Sequence, residues 1–90
     1  RQKTPRRSKR IITNMFVEVL TPDKTLFSGD AEVITLPGVN GSFQILDNHA
    51  PMIANLKSGN VEIKSSNQTE SYEVSSGLVE VLKNKVVVLV

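Results

Sequence analysis

The residues best suited to chemistry lie in one stretch, 37–51, which reads PGVNGSFQILDNHAP. It contains the single histidine of the chain, His49, two positions after Asp47, a pair that could act in acid–base catalysis or bind a metal. The chain has no cysteine and no second histidine, whereas a stable zinc site generally uses three or four protein ligands. We therefore expect no catalytic residue, no metal site and no cofactor, and we interpret His49 as a loop-ordering or interface residue.

Two closely spaced glycines in this stretch, Gly38 and Gly41, invite comparison with a phosphate-binding loop. Such a loop ends in Lys-Ser or Lys-Thr and leads into a helix. Here Gly41 is instead followed by alternating residues that include Phe43 and Ile45. The sequence therefore argues against a nucleotide phosphate site.

The positive charge of the chain is confined to residues 1–14, which contain six basic residues and no acid. Residues 15–90 contain five lysines against nine acidic residues, so the high isoelectric point belongs to the tail and does not support nucleic-acid binding. The tail has no apolar periodicity, and we expect a disordered basic lead. Vector-derived or upstream translated residues are the favoured origin, ahead of a transit peptide or a phosphate-binding arm.

Period-two alternation recurs from Met15 to Val90, and no stretch has a helical period. We predict about nine short strands, a number and spacing typical of a β-sandwich or β-barrel. Among them we predict a turn at 28–30 and a strand over 31–36. The segment 86–90 is apolar on both faces and is predicted to be a central strand. No apolar run approaches the roughly 20 residues of a transmembrane helix, so we expect no bilayer insertion.

Several ordered segments of this domain match a known pattern. They are VEVLTP at 17–22, FSG at 27–29, LPG at 36–38, GSFQIL at 41–46, NHAP at 48–51, LKSG at 56–59 and SGLVEV at 76–81. Residues 15–90 thus resemble the amino-terminal domain of the epsilon subunit of F-type ATP synthase, called delta in mitochondria. Gln44, where the family usually has glycine, and Asp47, where proline is common, depart from the pattern.

The resemblance implies an all-β fold, a flattened two-sheet antiparallel β-sandwich of about nine or ten short strands. It implies a non-catalytic rotor subunit that joins the gamma subunit to the polar loops of the membrane c-ring during proton-coupled ATP synthesis. Such a subunit works in a hetero-oligomeric complex, peripheral on the cytoplasmic face of the bacterial inner membrane. Family members commonly continue into an inhibitory helical hairpin, and this chain is expected to be a short form without it.

The resemblance also implies two sets of interface residues. The c-ring set is Val39, Asn40, Gly41 and Ser42. The gamma-subunit set is Thr21, His49, Met52 and Ala54. Ile53, which lies between the last two, is expected to belong to the core.

Two other classes of function are alternatives to the hypothesis of a rotor subunit. One is a generic ligand-binding or protein-interaction β-sandwich, although aromatic residues make up only 4% of the chain, which argues against a platform for stacking sugars. The other is a small enzyme centred on His49, which the missing partner residues disfavour. Binding to gamma distinguishes the rotor reading from both.

Overall fold

The computed structural model describes residues 15–65 and 68–90, and the predicted tail at 1–14 lies outside the described residues. The described part of the chain contains nine strands. They are β1 (Met15–Leu20), β2 (Thr25–Ala31), β3 (Val33–Gly38), β4 (Gly41–Leu46), β5 (Met52–Leu56), β6 (Gly59–Ser65), β7 (Gln68–Val74), β8 (Gly77–Leu82) and β9 (Lys85–Leu89).

The strands form two layers that share one hydrogen-bonded path. Sheet I has the order β2-β1-β9-β8-β5, and sheet II has the order β4-β3-β6-β7. The path passes from β5 to β3 through a single register pair, Gly38 with Leu56, and it folds over at that point. The predicted all-β sandwich is confirmed. One pairing, β1 with β9, is parallel. Parallel neighbours cannot be joined by a tight hairpin, and here the rest of the domain connects the two strands.

The core lies between the two sheets and follows the alternation in the sequence. Val17 and Val19 of β1 and Val86 and Val88 of β9 are fully buried, facing Ile34 of β3 and its neighbours in sheet II. β9 lies between β1 and β8, which confirms the predicted central strand. Since the core residues come from both layers, neither sheet can bury its inner face without the other.

The predicted turn at 28–30 is wrong. β2 continues through Gly29, which pairs with Val17, and ends at Ala31, which is fully buried. The chain changes sheets at Glu32 instead, whose N–H donates to the Lys64 carbonyl at 2.8 Å. The pairing of β2 with β1 and the burial of Ala31 outweigh the local turn preference of Ser-Gly-Asp.

An aromatic pair covers one open side of the sandwich. The rings of Phe27 on β2 and Tyr72 on β7, the end strands of the two sheets, lie 6.4 Å apart in an edge-to-face arrangement. The Tyr72 hydroxyl donates to a Glu70 carboxylate oxygen at 2.7 Å, and this bond, with a smaller effect of burial, raises the pKa of Tyr72. On the opposite side, β4 and β5 have no comparable aromatic bridge in the described part of the chain.

Candidate interaction surfaces

The hairpin between β3 and β4 turns at Val39 and Asn40, and its tip is held against β5. The Val39 N–H donates to the Asn55 carbonyl at 3.2 Å. Gly38 fits this turn because a Cβ there would lie 2.7 Å from the carbonyl oxygen of Gly41 and equally close to the ring of Phe43. The tip is therefore exposed yet fixed in position by β5.

A groove of about 350 Å³ lies between this hairpin and β5. Its lining includes Val39, Asn40 and Gly41 from the predicted c-ring set and Met52 and Ala54 from the predicted gamma set. The structure therefore brings three of the four c-ring residues and two of the four gamma residues together in one groove. Ser42 is exposed on β4 and does not line the groove.

The side chains of β5 alternate between the core and solvent. Met52 and Ala54 are half-buried and pack against the core, while Ile53 is 66% exposed. The expectation that Ile53 belongs to the core is therefore wrong. The reason is the register with β8: Ala54 pairs with the fully buried Val79, which commits Ile53 to the outer face.

Thr21, the third residue of the predicted gamma set, shapes the turn between β1 and β2. Its Oγ1 accepts from the backbone N–H of Lys24 at 3.0 Å and of Asp23 at 3.2 Å. This turn adjoins Leu20, which pairs with Leu89 near the end of β9. Thr21 therefore lies at that end of sheet I.

His49, the fourth residue of the gamma set, lies by the opposite end of sheet I. Its Nδ1–H donates to the Ala50 carbonyl at 2.8 Å. The preceding Asn48 N–H donates to the side-chain oxygen of Asn84 in the β8–β9 turn. Lys83 and Asn84 both have positive φ, of 52° and 61°, as a two-residue hairpin turn of this type requires. Asn48 thus ties this loop to the β8–β9 turn, while the His49 ring bonds the carbonyl of the next residue.

The described residues contain neither a candidate metal site nor a candidate membrane-spanning helix. Within 15–65 and 68–90, no three His, Cys, Asp or Glu side chains are grouped so as to hold a metal ion. No helix in this part of the chain is long and apolar enough to cross a bilayer.

The residues on the outer face of sheet I were not assigned to any surface from the sequence. Seven apolar side chains lie on this outer face, and we call it the apolar face. They are Phe16, Leu20, Ile53, Leu78, Leu82, Val87 and Leu89. Four of the six large apolar residues exposed in the described structure belong to it, at 37–66% exposure. The sequence did indicate such a surface, because β8 and β9 have apolar residues at outward-facing as well as inward-facing positions.

The outer face of sheet II is different in character, and we call it the polar face. Apart from Val33 and Leu46 at one end, polar side chains dominate its registered rows. They are Thr35, Gln44, Glu62, Lys64, Thr69 and Ser71. The sandwich thus has one face suited to water and one with the composition of a protein contact.

Comparison with known sequences points to one family. The β-sandwich domain of the ATP synthase delta/epsilon chain matches residues 14–90. The ATP synthase epsilon chain of Chlorobaculum tepidum is 40% identical over 74 residues, covering 81% of this chain and 84% of that relative.

Two solved structures share the fold. A chain of the Euglena gracilis mitochondrial ATP synthase, from an assembly containing F1 and the c-ring, aligns with a TM-score of 0.81 at 18% identity. A chain from the central stalk and c-ring of the Tetrahymena thermophila enzyme aligns with a TM-score of 0.73 at 21% identity. The alignments cover 90% and 86% of this chain but only 52% and 63% of those longer chains.

Proposed function

Because the chain belongs to the ATP synthase delta/epsilon family through its β-sandwich domain, we propose that it is a non-catalytic central-stalk subunit that couples the gamma subunit to the c-ring. It acts within a hetero-oligomeric F-type synthase, in rotary ATP synthesis driven by proton transport. It uses no cofactor of its own. It is peripheral to the membrane, on the cytoplasmic face in a bacterium, and reaches the membrane only through the c-ring loops.

The observation that carries the proposal is the contrast between the two outer faces. A rotor subunit transmits torque, so it needs a stiff body with a strong contact to the shaft rather than groups that transfer protons. The two sheets interdigitate through 15 buried apolar residues, and close-packed interiors of this kind resist deformation. The apolar face supplies the strong contact on one side of that body only.

We assign the gamma subunit to the apolar face. The residues predicted for this contact border sheet I: Thr21 and His49 adjoin its two ends, and Met52 and Ala54 lie on one of its end strands, β5, with side chains toward the core. Ile53 projects outward between the last two. The resemblance-based set therefore borders this contact, and the sheet face, including Ile53, forms it.

We assign the c-ring to the tip of the β3–β4 hairpin. Val39, Asn40, Gly41 and Ser42 are all exposed there, with Val39 at 53%. The backbone of the tip is bonded to β5, so a force applied at the tip passes directly into sheet I. Coupling requires this mechanical continuity between the two contacts.

Omitting the chain from a reconstituted synthase is expected to abolish most proton-coupled ATP synthesis. The catalytic subunits are not altered, so uncoupled ATP hydrolysis should persist. Synthesis and hydrolysis are measured in liposomes with and without the 90-residue chain. Full synthesis without the chain would refute the proposed function.

A cysteine at Ser42 is expected to cross-link to a polar loop of the c subunit in the assembled enzyme. Ser42 is exposed beside the hairpin tip, so the substitution should leave the fold intact. Cysteine at Ser71, exposed on the polar face, is the matched control and should give no such product. Cross-linking of the Ser42 variant only to stator subunits would rule out the c-ring contact.

A further inference from the structure

Glu80 is the acidic residue nearest the centre of the apolar face. It pairs in register with Ile53 on β5 and with Val87 on β9. Along β8, the residues two positions away on the same face are Leu78 and Leu82. An exposed carboxylate therefore has apolar neighbours in all four directions of the sheet.

Two other acids lie on this face: Asp30 on the end strand β2, and Glu18 on β1, which has a partner. The Lys85 ammonium lies 3.6 Å from a Glu18 carboxylate oxygen. Within the described part of the chain, this is the one ion pair, and Glu80 has no cation within the same reach. The centre of the face thus presents one ion pair and one carboxylate without a paired cation, since Lys85, which lines a depression together with Glu80, lies nearest to Glu18.

Docking of a partner onto this face removes solvent from around the Glu80 carboxylate. An ionised carboxylate transferred from water to a dry interface loses far more solvation than its apolar neighbours gain, unless a cation or several donors replace the water. An apolar partner surface opposite Glu80 would therefore bind poorly.

The shape around Glu80 has room for such a cation. A depression of about 360 Å³ lies between β8 and β5, lined by Pro51, Met52, Ile53, Glu80, Val81 and Leu82. Glu80 is the charged member of this otherwise apolar lining. Lysine and arginine suit such a site because their aliphatic stems pack on apolar residues while the charged group pairs with a carboxylate.

We propose that the partner of the apolar face presents a lysine or arginine side chain that enters this depression and pairs with the Glu80 carboxylate. The inference rests on the proposed function, in which that partner is the gamma subunit. The pair adds specificity to a contact whose area is otherwise apolar, since a partner without the cation is penalised.

Two substitutions at Glu80 test the pair, with purified gamma subunit as the probe and binding measured by calorimetry. Both Glu80→Gln and Glu80→Leu are expected to weaken binding at least about tenfold. The affinity of the wild-type chain should also fall more steeply with added salt than that of Glu80→Gln. Glu62→Gln, at an exposed position on the polar face, is the control and should bind as wild type.

The leucine variant gives the sharpest outcome. If an apolar group faces Glu80, leucine will bind as tightly as glutamate or more tightly, and the inference is overturned while the proposed function stands. If wild-type chain does not bind gamma at all, the proposed function itself fails. Charge reversal completes the test: Glu80→Lys should lose binding, and one Lys→Glu or Arg→Glu substitution in gamma should restore it.

Discussion

Replacement of Ile53 by aspartate is expected to weaken binding of the gamma subunit by about 100-fold or more while the domain stays folded. Ile53 is the most exposed large apolar residue in the described structure, at 66%, and it lies on the outer edge of the apolar face. Burying an unpaired charged group costs more than about 1–3 kcal/mol, and tenfold in affinity corresponds to about 1.4 kcal/mol. Aspartate also places a second carboxylate beside Glu80, which pairs with Ile53 across the strands.

The matched control for this variant is Leu46→Asp. Leu46 is 49% exposed and lies at one end of the polar face, so the same change in chemistry occurs away from the proposed contact. Thermal melting checks that both variants are folded, and titration with gamma compares their affinities. Equal weakening by both substitutions, or none by Ile53→Asp, would remove the apolar face as the docking surface.

Replacement of Ile34 by alanine is expected to lower the free energy of unfolding by about 2–5 kcal/mol. Ile34 is fully buried on β3 and pairs with Ile45 on one side and Ile63 on the other, both of them buried. Its two buried isoleucine neighbours are fixed by their own strands, so they cannot move in to fill the cavity that alanine leaves. A domain of this size has a total stability near the lower end of about 5–15 kcal/mol, so a sizeable unfolded fraction is expected.

The same substitution at Ile53 separates burial from residue type. Ile53→Ala removes the same atoms from an exposed position and should change the unfolding free energy by no more than about 0.5 kcal/mol. Urea denaturation of the two alanine variants measures both values. Similar losses at the two positions would contradict the assignment of inward and outward faces.

Local patterns in the sequence determined most of the strands and much of the core. Val17, Val19, Val61 and Ile63 alternate with polar residues, and all four are buried as the alternation predicts. The polar run Lys83-Asn84-Lys85 likewise indicates a turn into β9, and Asn84 adopts the positive φ that such turns require. These features depend on neighbours within a few residues, so the sequence alone is sufficient to specify them.

The family could also be recognised from the sequence, because its segments recur in order along the whole domain. The interface assignments followed from that resemblance and stay predictions. The structure adds where those residues lie: around sheet I, with the hairpin tip and β5 sharing one groove.

Only the tertiary structure decided which face of β5 is buried and how β2 ends. Alternation gives two faces to every strand but does not say which one meets the core when both are apolar. Pairing of Ala54 with Val79 made that choice for Ile53, and pairing of Gly29 with Val17 overrode the local turn signal. Both pairings join residues distant in the chain, and hydrogen-bond register between such residues is set by packing of the whole sandwich rather than by local preference.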